Sequence, residues 1–425
     1  MNILVENSGY HLLNMGDLAM LQVAIERLNK VFPSASITVF TNYPDRLSKH
    51  CPGTLAIMPE GRNTWVSRPL IGKLHKNRVT RKLWPKIEEK ARYNFPTSYN
   101  KFLKFKMAKF PTSLRESEKF FEVFQLSDLV IATGGGYITD AFMNETNTKL
   151  DMLSLAAKVG KPTAMLGQGM GPLKDKVNQK KAASILPLIN VISLRESKAS
   201  LPLLKSIGIS HDRVTVTGDD AIELAYNARP EEIGQHVGIN LRVAKYSDVT
   251  EDSIQTLKNV FQEFAIGKNI QLLPVPIDRA SFDQYIDSDV TSIQKLLQGF
   301  DDESDGGSSL DTPIKVIRQV GKCRVVVTGS YHGAVFALSQ GIPVIGLAKS
   351  QYYIDKFAGL AGQFPGGCRT LILSSDSLEK DLRSNLEYFW SNAEQLRDQF
   401  LKAAKHQIEL SWSVYQKLSQ LNKVS

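Results

Sequence analysis

The sharpest alternation of apolar and polar positions runs from Val325 to Leu347. The apolar run Val325-Val326-Val327 predicts a buried strand. The small turn Thr328-Gly329-Ser330 ends it, and Tyr331 and His332 follow. Gly333–Leu338 is apolar at helical spacing, Gly341 stops that helix, and Val344–Leu347 predicts the next strand. His332 therefore falls where a parallel strand hands over to a helix. In open α/β sheets that carboxyl edge is where ligands bind. A helix N-terminus there offers free N–H groups to a phosphate or carboxylate. Two readings stand for His332: a structural histidine in a turn, or a proton donor beside a ligand, since imidazole exchanges protons near neutral pH.

The same alternation recurs along the chain. Short strands are expected at Asn2–Glu6, Ile37–Thr41, Leu129–Ala132, Thr163–Leu166, Val191–Leu194 and Val214–Val216, with helices such as Asp17–Lys30 and Leu150–Val159 between them. A break falls near Ala228–Glu232. The pattern then restarts with a strand at His236–Asn240, a helix at Ser253–Ala265 and a strand at Ile270–Val275. From Ser377 to Leu418 nearly every residue is a helix former with apolar positions at helical spacing. Strands alternating with helices imply parallel sheets. The fold class expected is α/β, with two facing Rossmann-like domains of the GT-B type, a cleft between them and a long C-terminal helix. The domains expected are 1–228, carrying an insertion at 62–119, then 229–376, then a helical segment at 377–425.

With 425 residues the chain is too long for one core and suits two domains. No apolar stretch reaches the ~20 residues that cross a bilayer. The start lacks a basic segment followed by a long apolar one, so no signal peptide is expected. Three cysteines without metal-type spacing, and no paired histidines, give no metal site and no disulfide framework, and a cytoplasmic location is expected. The net charge of +9 is concentrated. Between Arg62 and Lys119 there are 16 Lys and Arg against 4 Glu, which leaves the rest of the chain about −3. Aromatic residues interleave with this block: Trp65, Trp84, Tyr93, Phe95, Tyr99, Phe102, Phe105 and Phe110. Such a mixture suits an anionic membrane surface, on the inner face of the membrane, or a phosphorylated lipid. The plainer alternative is a solvated helical insertion with an aromatic core. Nucleic acid is not expected as a partner, because no nucleic-acid motif is present.

Other strand ends carry glycine-rich or polar turns. They are Asn14-Met15-Gly16-Asp17, Gly134-Gly135-Gly136 leading to Asp140, Gly167-Gln168-Gly169-Met170-Gly171-Pro172, and Gly218-Asp219-Asp220. Each alone is a weak signal. Following successive strands of one sheet, they would line one edge and let backbone approach a ligand. Asp17 suits a helix N-cap or first turn. Neither a Walker loop nor a convincing dinucleotide fingerprint occurs. Arg195 and Arg242 also end strands, where a guanidinium fork would clamp a carboxylate or phosphate.

Taken in order, these motifs resemble the polysaccharide pyruvyl transferase family. The resemblance rests on Asn14–Asp17, Gly134–Asp140, Gly167–Pro172, Leu194-Arg195-Glu196-Ser197, Gly238–Arg242 and His332–Pro343, and it covers nearly the whole chain. It implies a GT-B-type fold and transfer of the pyruvyl group of phosphoenolpyruvate to a saccharide. The product would be a pyruvate ketal on an exopolysaccharide or cell-surface glycan, and the acceptor would include a lipid-linked saccharide. No cofactor is implied. His332 would be the acid that protonates the enol carbon. Arg195 and Arg242 would hold the donor. Ser330, Asn14, Gly16, Asp17, Gly134, Gly135, Asp140, Gly169, Gly171 and Asp219 would complete the binding site. One position departs: many family members carry Arg two residues before the histidine, where this chain has Ser330. Lys349, Lys356 or a residue of the basic block would then supply the charge. The competing classes are a GT-B glycosyltransferase that uses a nucleotide sugar and a non-catalytic relative that binds a glycan.

Overall fold

The computed structural model describes residues 1–67, 84, 87–92, 94–242, 251–280, 288–348 and 350–421. Its strands form two sheets, and every named strand pairing is parallel. The first holds β1 (Asn2–Glu6), β2 (Ser36–Phe40), β3 (Leu55–Ile57), β4 (Leu129–Ala132), β5 (Gly135–Ile138), β6 (Thr163–Met170), β7 (Val191–Leu194) and β8 (Val214–Val216). Their order is β3-β2-β1-β4-β6-β7-β8, with β5 beside β6. The second sheet holds β9 (His236–Asn240), β10 (Leu272–Pro274), β11 (Cys323–Thr328), β12 (Val344–Ala348) and β13 (Cys368–Ile372). Their order is β10-β9-β11-β12-β13. Helices cover both faces of such sheets, which is why β4 and β12 are buried along their whole length and read as unbroken apolar runs.

Two glycine-rich segments differ from expectation. β6 does not stop at Leu166 but runs through Gly167 and Gly169 to Met170. Its register with β7 shifts between Met165 and Gln168, and Gly167 has φ +58°, so a glycine bulge carries the strand onward. Gly135–Ile138 likewise forms β5 against this extension. The strand edge therefore advances toward the second sheet instead of ending in loops.

The C-terminal helix, Leu378–Leu421, ties the two halves together. Its first part packs Leu382, Leu386 and Phe389 against Val325, Val327 and Ile345 of the second sheet. Its last part packs Val414, Tyr415 and Leu418 in a core shared with Ile3 and Leu28 of the first half. A buried polar cluster secures that return. Asp220 Oδ1 takes a salt bridge from Arg27 at 2.9 Å and a hydrogen bond from the Ser411 hydroxyl at 2.8 Å. The Tyr415 hydroxyl donates to Asp220 Oδ2 at 2.7 Å.

The basic block is divided by its surroundings. Arg62 is buried and pairs with the buried Glu6, as does Lys149 at 3.3 Å. Trp65 stands edge-on to Tyr99 at 5.6 Å and packs against Phe120, Phe121 and Phe124. These residues form a core and not a surface, because their rings fill the space between Phe40 of β2 and the helix Pro111–Leu126. Arg68, Lys73, Lys76, Arg78, Arg81, Lys82, Lys86 and Tyr93 of the block, and Lys349, lie outside the described residues.

Candidate active site

A cavity of about 270 Å³ opens between the carboxyl edges of the two sheets. Residues that line it follow β1, β7, β9, β10, β11 and β12 in sequence. This is the location that parallel sheets reserve for ligands.

After β1, Asn14 is the N-cap of the helix Met15–Val31. Its Oδ1 accepts from the backbone N–H groups of Gly16 (3.0 Å) and Asp17 (3.1 Å). That cap sets Asp17 in the first turn, where the helix dipole favours a carboxylate. Burial outweighs this and raises the Asp17 pKa, although His332 opposes the rise. The same loop is stitched to the second half of the chain. Met15 N–H donates to the Ile277 carbonyl at 2.7 Å, Arg279 N–H donates to the Leu13 carbonyl at 3.1 Å, and Asn14 bridges Asp278.

After β11, Ser330 occupies the N-cap position of the helix Tyr331–Ser339 without a side-chain capping bond, and the first turn carries His332. His332 is 7% exposed, with Nε2 3.5 Å from Asp219 Oδ2. Gly16 lies flat against that ring: a Cβ added to Gly16 would stand 1.9 Å from His332 Cγ. Burial would raise the Asp219 pKa, but His332 and Arg195 together hold it below the usual carboxylate value. An ionised Asp219 thus faces both His332 and Arg195.

Both arginines already have carboxylate partners. Arg195 is buried, pairs with Asp219 at 3.3 Å and stacks over the Tyr331 ring at 4.0 Å. Arg242 reaches Asp278 at 2.6 Å and Asp289 at 3.1 Å. A guanidinium has five N–H donors, so each arginine keeps donors to offer while its charge is largely matched.

The glycines serve the arginine more than they serve a ligand. Gly169 and Gly136 leave room for Arg195, since a Cβ on either would lie 2.6 Å from one of its nitrogens. Gly169 and Gly171 border a small side cleft with Arg195 and Lys356. Gly134 and Gly135 pack against Met20 and Ser8, and neither lines the cavity. Asp140 was expected at the ligand and sits elsewhere. Its carboxylate accepts the backbone N–H groups of Lys174 and Asp175, which anchors the loop after β6. Asn14, Asp17, Arg195, Arg242, Ser330 and His332 do converge on the cavity, with Gly16 and Asp219 directly behind His332.

The structure adds two tyrosines to the expected set and brings Lys356, one of the candidates to replace the charge missing at Ser330, to the cavity with them. After β12, the helix Gln351–Gln363 brings Tyr352, Tyr353 and Lys356 to the cavity. Lys356 Nζ lies 4.0 Å over the Tyr352 ring, and the Tyr352 hydroxyl donates to the Gly136 carbonyl at 3.1 Å. No carboxylate among the described residues stands within ion-pair distance of Lys356. Burial, with Arg195 and Arg242 nearby, pushes its pKa well below the ordinary lysine value. The sequence signal for this group is its place after a predicted strand, with Lys356 one helical turn beyond the adjacent Tyr352 and Tyr353.

A family model described as polysaccharide pyruvyl transferase matches residues 14–350. A search of curated proteins found no match. Among solved structures, the chain is similar to a putative UDP-N-acetylglucosamine 2-epimerase from Listeria monocytogenes, with TM-score 0.54 and 12% identity over 95% of this chain and 94% of that one. It is similar to MnaA of S. aureus in complex with UDP, with TM-score 0.51 and 11% identity over 94% and 90%. It is similar to UDP-GlcNAc 2-epimerase from Neisseria meningitidis bound to UDP-GlcNAc, with TM-score 0.50 and 13% identity over 96% and 99%. At such identities the likeness concerns the fold, which is of the GT-B type. The family match takes in the helix cap at Asn14, the strand ends at Arg195 and Arg242, and His332, and on that span the chain belongs to the polysaccharide pyruvyl transferase family.

Proposed function

We propose that this protein transfers the pyruvyl group of phosphoenolpyruvate to a saccharide and forms a cyclic ketal. The observation that carries the reading is the convergence of His332, Asp17 and the cation Lys356 on one cavity between the sheets. The donor is a small, highly charged anion. Its phosphate and carboxylate need a cation that no carboxylate already matches, and Lys356, protonated as the anion binds, is such a group. Arg195 and Arg242 supply their remaining N–H donors as orienting hydrogen bonds.

In this reading His332 gives its proton to the methylene carbon of the enol. The adjacent carbon becomes cationic, and a sugar hydroxyl attacks it while Asp17 takes the hydroxyl proton. Asp219 orients the imidazole from 3.5 Å. Phosphate then leaves with that proton, and a second hydroxyl closes the ketal while its own proton returns to His332. One phosphoenolpyruvate and one diol thus yield one ketal and one inorganic phosphate. Tyr352 and Tyr353 offer ring faces at the cavity wall for the sugar.

The test incubates the full chain with phosphoenolpyruvate and a panel of saccharides. Phosphate release is followed together with acceptor mass, and UDP-sugars serve as a parallel donor set. Phosphate release coupled to a pyruvyl mass increment on the acceptor is expected. Glycosyl transfer from a UDP-sugar, with no reaction of phosphoenolpyruvate, would overturn the proposal.

A further inference from the structure

Apart from the catalytic cleft, the most unusual surface lies on the helix Pro96–Met107 and the turn after it. From Phe95 to Arg115 the chain carries five basic residues and no Asp or Glu. Tyr99, Leu103 and Met107 form the buried stripe of the helix. At about 100° per residue, Phe105 falls on the opposite side, flanked by Lys101 and Lys104 on one hand and Lys106 on the other. Phe105 is 78% exposed. Phe95 at the start of the helix is 65% exposed, and Phe110 in the following turn is 61% exposed.

Three outward phenylalanines within one short helical unit are an unusual expense of apolar surface in water. Most of the surrounding lysines are also unmatched. Lys104 pairs with Glu118 at 2.9 Å, whereas Lys101, Lys106 and Lys109 have no acidic partner among the described residues. The aromatic residues inside the block, Trp65 and Tyr99, are core, so the structure separates the rings that hold the fold from those that do not. No described helix is long and apolar enough to cross a membrane.

We infer that this face docks the protein on an anionic lipid bilayer. Phe95, Phe105 and Phe110 enter the headgroup region, and Lys101, Lys104, Lys106 and Lys109 bind the lipid phosphates. The charge argues for this occupant. A polybasic face complements an anionic leaflet, and exposed rings between lysines match a boundary that is apolar below and charged above. An apolar protein partner would not call for four lysines around the rings. A purely acidic one would not call for the rings.

The experiment measures co-sedimentation of the full chain with two kinds of vesicle, pure phosphatidylcholine and phosphatidylcholine with phosphatidylglycerol. Two variants are compared: Phe95→Ser/Phe105→Ser/Phe110→Ser, and Lys101→Gln/Lys104→Gln/Lys106→Gln/Lys109→Gln. These residues lie outside the cleft and its core, so circular dichroism should match the parent protein. Binding is expected only with the anionic vesicles and should weaken steeply with salt. The lysine variant should bind roughly 100-fold or more weakly, and the phenylalanine variant should lose most of the salt-resistant fraction. Absence of binding by the parent protein at low salt overturns the inference. So does a phenylalanine variant that binds like the parent, because the rings then do not enter the bilayer. A parent that self-associates in sedimentation, with a monomeric phenylalanine variant and no vesicle binding, assigns the face to a second copy of the chain instead. Vesicle binding is read without any turnover, so its failure is separate from failure of the proposed reaction.

Discussion

Gly16 and His332 meet across the cleft: a single Cβ on Gly16 would stand 1.9 Å from the Cγ of His332. The helix that begins at Met15 thereby sets the position of an imidazole that belongs to the other sheet. Gly16→Ala should push the ring out of line and lower kcat about 100-fold, the cost typical of a small misplacement of a reacting group. His332→Ala should lower it about 10²–10⁴-fold with the fold intact by circular dichroism. Near-parental turnover in a folded His332→Ala protein would remove it from the acid role.

Arg195 and Arg242 are fastened to buried carboxylates, so their loss should be felt in stability as well as in binding. Arg195→Ala leaves Asp219 with His332 as its side-chain neighbour and the Ala221 N–H as its backbone donor, and Arg242→Ala leaves Asp278 and Asp289 without their guanidinium. Breaking a buried pair from one side typically costs about 3–5 kcal/mol. Denaturant unfolding should show a lowered midpoint for both variants, larger for Arg195→Ala because Arg195 is the more deeply buried. Unchanged midpoints with weakened donor binding would instead mark the arginines as ligand clamps held loosely at rest.

Lys356 carries the charge that Ser330 lacks at the same cavity. Lys356→Met should weaken binding of phosphoenolpyruvate roughly 10–150-fold, the loss of one charge-assisted contact of about 1.5–3 kcal/mol. Its pKa lies well below that of an ordinary lysine, so the cation disappears as pH rises through that lowered value. Donor affinity should therefore fall on the alkaline side earlier than a normal lysine would allow. Lys356→Arg keeps the charge at all working pH and should abolish that fall. Ser330→Arg placed in the Lys356→Met background should restore part of the affinity. Calorimetry across pH reads all three, and a flat pH dependence in the parent protein would count against the role of Lys356.

Asp17 presents the opposite sign. Burial raises its pKa, so holding it ionised costs stability at neutral pH. For a carboxyl raised in the folded state, the favourable contribution exists below the ordinary carboxyl pKa and is lost as pH rises through the raised value. Asp17→Asn should therefore raise the melting temperature near pH 7 and lower turnover. The gain should vanish toward acid pH, where the native carboxyl is protonated. A melting temperature that falls at neutral pH would show that Asp17 is stabilised in place and not strained.

Much of the architecture was legible along the chain. Alternating apolar strands and helices, with a break near Ala228, point to two parallel sheets, and the periodicity from Ser377 to Leu418 anticipates the helix Leu378–Leu421. His332, Arg195, Arg242 and Asp17 are readable as candidates because each follows a strand and so falls on a carboxyl edge. The glycine segments were less legible. Gly167 and Gly169 read as a loop, yet they carry β6 onward, because a glycine bulge and a glycine turn share the same local signature. The aromatic residues of the basic block were also ambiguous. Trp65 and Phe105 are both aromatic residues of one basic block, and what packs around each is set by helices elsewhere in the chain.

Local pattern is enough for the elements, their order and the residues at strand ends, since periodicity and turn chemistry act over a few neighbours. It also shows that a basic, aromatic segment interrupts an otherwise slightly acidic chain. Which charges are matched emerges only when the segments pack together. Arg195 meets Asp219, Arg242 meets Asp278 and Asp289, Asp140 turns away to cap a loop, and Lys356 remains a buried amine without a carboxylate partner among the described residues. The same packing decides that Gly16 belongs to His332. The reason is physical: charge compensation and steric room depend on distances of a few ångströms between segments far apart in the chain, and no local pattern encodes them.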